Sequence, residues 1–212
     1  MKKILTNLAG IACLVSPLIT HASIIEIGTG YSTAGTQVSA ADYKSVVDSA
    51  ITSSVSVMSY DNVIPQNILG TGTTDFAFKS TVSFGVSAAL AGNWEIRSGV
   101  DFGRGGAIFI DGVAQDFKTT DMWWAGSYDD KSQSFDVSLI LGAGNHILQL
   151  YGLEGCCSGM QQAQFKVGSS NSFTSFSSND NLVFTVPEPE TYSMVLAGLG
   201  LMGTIVRRRK QM

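Results

Sequence analysis

Phe135-Asp-Val-Ser-Leu-Ile-Leu141, Gly142-Ala-Gly-Asn145 and His146-Ile-Leu-Gln-Leu-Tyr151 follow one another without a break. Phe135, Val137, Leu139 and Leu141 occupy one side of a two-residue alternation, with Asp136 and Ser138 on the other. Successive strand side chains point to opposite faces, so this is the pattern of a half-buried strand. Four residues of turn chemistry follow, and Leu148 and Leu150 then resume the alternation. A strand, a turn and a strand are therefore expected here.

The same reading extends outward. In residues 76–86, Phe76, Phe78, Val82, Phe84 and Val86 share one face, and Lys79, Thr81 and Ser83 the other. Trp94-Glu-Ile-Arg97 alternates. Residues 107–110 are apolar and end at Asp111-Gly112, a strong hairpin-turn signal. Residues 164–167 and 182–186 are further strand candidates, and the Ser/Asn-rich residues 168–181 read as a long loop or a weak edge strand. One short helix is expected over residues 40–51, where Val46, Val47, Ala50 and Ile51 fall at helical spacing. Many short strands separated by turn residues predict an all-β fold, a jelly-roll-like β-sandwich.

The two ends differ from this body. Lys2 and Lys3, an apolar run over residues 4–19, and Thr20-His21-Ala22 form the three parts of a signal peptide. Signal peptidase is expected to cut between Ala22 and Ser23. At the other end Val186-Pro187-Glu188-Pro189-Glu190 precedes an uncharged apolar run, residues 192–206, closed by Arg207-Arg208-Arg209-Lys210. The prolines break both strand ladders and helices. Fifteen helical residues span about 22 Å against a hydrocarbon core of about 30 Å, a gap that snorkelling arginine and lysine stems can close. The basic cluster should stay cytoplasmic. The expected organisation is thus a signal helix over residues 1–22, a β-sandwich body over 23–186, and a sorting tail with a hydrophobic transmembrane helix over 187–212.

The C-terminal pattern resembles the PEP-CTERM sorting signal. That resemblance implies recognition by an exosortase, transient membrane insertion through the tail, and release to the cell surface or extracellular matrix of a bacterium that makes exopolysaccharide. Two further resemblances lie in the body. Trp94-Glu-Ile-Arg-Ser98, Ala107-Ile-Phe-Ile-Asp-Gly112, Leu141-Gly-Ala-Gly-Asn-His-Ile147 and Gln149-Leu-Tyr-Gly-Leu-Glu154 are similar in pattern to protective-antigen-type jelly-roll modules. Sugar-binding members of that group hold calcium with adjacent aspartates. Asp129-Asp130 is such a pair, but it does not align with their calcium loop, so no cofactor and no metal ligand are assigned. Asp101-Phe-Gly-Arg-Gly-Gly106, Asp121-Met-Trp-Trp-Ala-Gly126 and Gly155-Cys-Cys-Ser-Gly159, with the tail, resemble the CCXG family of PEP-CTERM proteins.

Charge narrows the function. Residues 23–186 carry seven Lys and Arg against fifteen Asp and Glu, a net −8 that the whole-chain −4 conceals. An acidic body argues against nucleic acid, whose phosphates need a basic surface. Trp123, Trp124, Tyr128, Asp129 and Asp130 could form a sugar-binding loop, in which rings stack on sugar faces and carboxylates accept hydrogen bonds from hydroxyls. The alternative is that one tryptophan is core, since strand neighbours face opposite ways. Cys156 and Cys157 are the only cysteines of the body. Outside the cytoplasm thiols oxidise, so a vicinal disulfide is expected, with an intermolecular bond as the other outcome. The glycines of residues 101–106 read as a tight turn, because a strand follows where a phosphate cradle would need a helix. His146, the one histidine of the body, lies in an apolar strand pattern and reads as structural. No nucleophile elbow or His-Glu-x-x-His is present. The sequence therefore points to a non-catalytic exported protein, associated with extracellular polysaccharide and able to bind glycan. The alternatives are a structural or interaction protein without glycan affinity, and a polysaccharide hydrolase.

Overall fold

The alternating stretches become strands. The computed structural model describes residues 19–70, 74–157, 159–186 and 198–199. In chain order the elements are β1 (Ile19–His21), β2 (Ile24–Tyr31), α1 (Ala40–Ala50), β3 (Ser53–Val57), α2 (Pro65–Leu69), β4 (Phe76–Val86), β5 (Gly92–Gly99), β6 (Asp101–Phe102), β7 (Gly106–Ile110), β8 (Val113–Lys118), β9 (Met122–Trp123), β10 (Ser134–Leu141), β11 (Gly144–Glu154), β12 (Gln162–Val167), β13 (Thr174–Ser175) and β14 (Phe184–Val186).

Two antiparallel sheets make a β-sandwich. One has the order β3-β2-β4-β11-β7-β8 and the other β10-β5-β12-β13. Residues 135–151 cross between them. β10 pairs with β5, from Ser134 opposite Gly99 to Leu141 opposite Gly92. β11 lies instead between β4 and β7 of the larger sheet. Gly142 and Ala143 thus carry the chain from one layer to the other. Asp111-Gly112 does make the expected hairpin, joining β7 to β8 with Ile110 opposite Val113.

The even-numbered face of β4 points into the sandwich. Phe76, Phe78, Val82, Phe84 and Val86 are buried there with Ile108 and Ile110 of β7 and Leu148 and Leu150 of β11. Trp94, Ile96, Phe135, Val137 and Phe165 meet them from the other sheet. Each such side chain stabilises the fold by about 1.5–3 kcal/mol relative to exposure. The odd-numbered face is covered by α1. Ser39 caps this helix, its Oγ accepting the Asp42 N–H at 3.2 Å. Ala40, Tyr43 and Val47, spaced along one helical stripe, pack on Ala77, Ala107, Phe109, Tyr151 and Leu153.

Several elements depart from the sequence reading. β2, β3, α2, β8 and the short pair β6–β9 were not anticipated. The Ser/Asn-rich residues 168–181 contain only the two-residue edge strand β13, and the last strand begins at Phe184 rather than Leu182. The chain divides into two units, Thr20–Thr185 and the ends Met1–Ile19 with Val186–Met212. Ile19–His21, expected at the end of the signal helix, forms β1. The rest of that helix lies outside the described residues. So do Pro187, Glu188 and Pro189, the basic residues Arg207, Arg208, Arg209 and Lys210, and the apolar run 192–206 apart from the helical residues 198–199. Among the described residues no helix is long and apolar enough to cross a membrane.

Candidate functional site

The site begins at the ribbon β6–β9. Asp101 pairs with Trp123, and Phe102 with Met122. Phe102 and Met122 are fully buried in the core. Because strand neighbours alternate, the adjacent residues Asp101 and Trp123 are presented together on the opposite side. Asp101 is 7% exposed and Trp123 67%. Beside them the chain turns through Gly103 and Arg104, and β11 ends at Glu154, which is only 2% exposed. The turn Gly155-Cys156-Cys157 follows, with Cys156 and Cys157 joined by a disulfide and Cys157 in the left-handed backbone region.

These residues line a pocket of about 460 Å³: Asp101, Gly103, Arg104, Asp121, Trp123, Glu154, Gly155, Cys156 and Cys157. Its floor is fixed by hydrogen bonds. One oxygen of Glu154 accepts the Gly103 N–H at 2.7 Å, and the other accepts the Cys156 N–H at 2.8 Å. The Gly103 position is held to glycine because a Cβ would meet the Glu154 carboxylate. Arg104 reaches Asp75 at 2.6 Å and the Ala34 carbonyl at 3.3 Å. Its own carbonyl accepts the Tyr43 hydroxyl at 2.8 Å, tying α1 to the site. Burial pushes the Asp101 carboxyl up to about 7. The neighbouring Glu154 and Asp121 charges push the same way, and the Gly159 N–H opposes them.

The expected aromatic and acidic loop divides into different roles. Trp123 is exposed and shared with a second depression of about 600 Å³ lined also by Asp121, Trp124, Asp129, Asp130 and Gln133. Trp124 is buried, 4% exposed. Its ring lies over Gly99, where a Cβ would fall inside the indole, and 5.1 Å from the Tyr128 ring. The Tyr128 hydroxyl accepts the Gly99 N–H at 3.2 Å and donates to Gln162 at 3.1 Å, and Arg97 lies 3.9 Å over its ring. Trp124 and Tyr128 thus brace the loop that presents Trp123. Asp129 and Asp130 are exposed. Asp130 accepts the Ser132 N–H at 2.9 Å and the Ser132 hydroxyl at 2.7 Å, which hold its carboxyl below the usual range.

His146 lies away from the pocket, between the Asp111 carboxylate at 2.7 Å and the Gly142 carbonyl at 2.9 Å. It links the β7–β8 turn to the crossing between the sheets. Among the described residues no group of three or more His, Cys, Asp or Glu is arranged to hold a metal ion.

Asp101, Asp121 and Glu154 were not singled out from sequence. A signal for two of them existed. The three segments quoted for the CCXG resemblance, residues 101–106, 121–126 and 155–159, converge on this one pocket. Glu154 stands immediately before the third.

A model of the PEP-CTERM protein-sorting motif matches residues 185–210. The chain carries a PEP-CTERM sorting motif. It therefore bears an address for export and sorting to the cell surface or beyond. No curated protein matches the sequence. Among solved structures, the PA14 domain of the MpAFP antifreeze protein is similar over 80% of this chain and 93% of that one, with 9% identity and a TM-score of 0.51. A PA14 sugar-binding domain from an RTX adhesin is similar over 74% and 96%, with 10% identity and a TM-score of 0.49. A subtype-switched epithelial adhesin A domain from Candida glabrata, in complex with β-lactose, is similar over 78% and 89%, with 7% identity and a TM-score of 0.46. The likeness to the first is one of fold, and it agrees with the β-sandwich seen here.

Proposed function

We propose that this is an exosortase-processed surface or matrix protein whose body binds glycan of the extracellular polysaccharide in the pocket between Trp123 and the Cys156–Cys157 turn. The observation that carries the reading is the mixture of surfaces in one 460 Å³ pocket. An exposed indole and an apolar disulfide offer flat surfaces to the C–H faces of a sugar ring. Asp101, Asp121 and Glu154 offer acceptors to its hydroxyls. A few fixed polar groups on apolar walls are the usual composition of a small-ligand site.

Hydrolysis is less well supported. Both oxygens of Glu154 already accept main-chain N–H groups, and the side chain is almost wholly buried, so it is poorly placed to attack a sugar carbon. A structural role without glycan affinity remains the competing reading. It would leave an exposed tryptophan beside buried acids without a task.

The test is a glycan array, followed by titration of tryptophan fluorescence with the binding oligosaccharides. Binding that disappears in Trp123→Ala supports the reading. No response to any glycan overturns it, and release of new reducing ends from the bound glycan would replace it with the hydrolase.

A further inference from the structure

We infer that the pocket prefers sugars that carry a free, protonated amine over neutral and acidic sugars. The inference rests on the glycan-binding reading and narrows it to a substrate class. Three carboxylates line the pocket, those of Asp101, Asp121 and Glu154. Among the described residues none of the three makes an ion pair. The cation in the lining, Arg104, is engaged by Asp75 at 2.6 Å, so it offsets a charge outside the pocket.

Asp101 makes the demand specific. It is more than nine-tenths buried and lines the cavity. Its one hydrogen-bond donor among the described residues is the Gly159 N–H, although a carboxylate has about four acceptor sites. A buried anion with spare acceptor capacity is costly until a cation or proton reaches it. Below about 7 a proton meets that need; a seated ammonium can take the proton's place, whereas a neutral sugar cannot and an anionic one adds repulsion. An ammonium group supplies up to three donors and the missing positive charge. Its other wall is Trp123, whose exposed indole face attracts cations. A metal ion is the other way to supply charge, but the described residues offer no metal-holding cluster. An ammonium needs no fixed coordination geometry.

Titration calorimetry of the exported protein at pH 7, where the Asp101 carboxyl is about half ionised, tests this with three oligosaccharides: β-linked glucosamine, its fully N-acetylated counterpart, and oligogalacturonate. The glucosamine oligomer should bind roughly tenfold or more tighter than the acetylated one, within the range measured for close charge pairs, and oligogalacturonate more weakly than either. Added salt should erode the preference. Asp101→Asn and, as a surface variant in no danger of misfolding, Asp121→Asn should each bring the ratio towards one. Equal or tighter binding of the acetylated oligomer, or a ratio unmoved in both variants, overturns the inference and leaves glycan binding standing. Binding that requires added calcium also overturns it. Failure of all the glycans, including those of the array, overturns the glycan reading itself.

Discussion

The main-chain N–H of Cys156 donates to Oε1 of Glu154 at 2.8 Å, so the disulfide turn hangs from the end of β11. The other oxygen of the same carboxylate holds Gly103 at 2.7 Å. One buried side chain therefore sets two walls of the pocket. Glu154→Gln keeps one acceptor and turns the other into a donor facing an N–H. A loss of about 1–3 kcal/mol is expected, the cost of an unsatisfied buried group, read as a lower urea midpoint with unchanged slope.

The disulfide itself closes a ring between neighbours and restricts the unfolded chain little. Loop-closure entropy for so short a ring amounts to about 1 kcal/mol. Cys156→Ser with Cys157→Ser should therefore melt near the parent but bind glycan more weakly, because the turn loses its apolar surface. Intact mass with and without reduction and alkylation should show the intramolecular bond in the parent. A disulfide-linked dimer would contradict it.

Neighbouring tryptophans should behave oppositely. Trp123 is 67% exposed and Trp124 4%. Trp123→Ala should leave the urea midpoint almost unmoved and abolish the fluorescence response to glycan. Trp124→Ala opens a cavity over Gly99 and beside Tyr128 and should cost about 3–5 kcal/mol.

Asp101 couples stability to pH. Its carboxyl is raised from 3.8 to about 7 by burial first and by the neighbouring acids second. The folded state then holds a proton that the unfolded chain releases. This contribution is full below 3.8 and is lost as the pH rises towards 7. The difference in urea midpoint between the parent and Asp101→Asn should move in the variant's favour across that interval. A constant difference would show that Asp101 titrates normally.

Asp180 should matter more after processing. Its buried carboxylate accepts the N–H groups of Ser23 at 3.2 Å, Ser177 at 3.0 Å and Leu182 at 3.0 Å. A chain that starts at Ser23, the expected product of signal peptidase, presents an ammonium where the longer chain has an amide, and charge-assisted hydrogen bonds are about twice as strong. Asp180→Asn should therefore destabilise a chain starting at Ser23 more than one starting at Ala22. Equal losses in chemical denaturation would refute this.

The sequence by itself determined the local chemistry. The alternation of residues 76–86 and 135–141 specified strands and their buried faces, Asp111-Gly112 specified a hairpin, and the helical spacing of Val46, Val47, Ala50 and Ile51 specified a helix. The sorting motif was also legible, because such a signal is read as a linear string. These features depend on neighbours within a few residues, which is the range that side-chain spacing can report. β2 was missed since α1 and the sandwich bury most of its residues, leaving no clean alternation. Tertiary structure alone decided that β10 and β11, adjacent in sequence, belong to different sheets. It also decided which tryptophan is exposed, and it gathered residues 101–104, 121–123 and 154–157 into one pocket. Each of those segments reads locally as a turn or a short strand. Only the closing of the sandwich, which buries Phe102 and Met122, turns Asp101 and Trp123 to the same side and brings Glu154 beneath them.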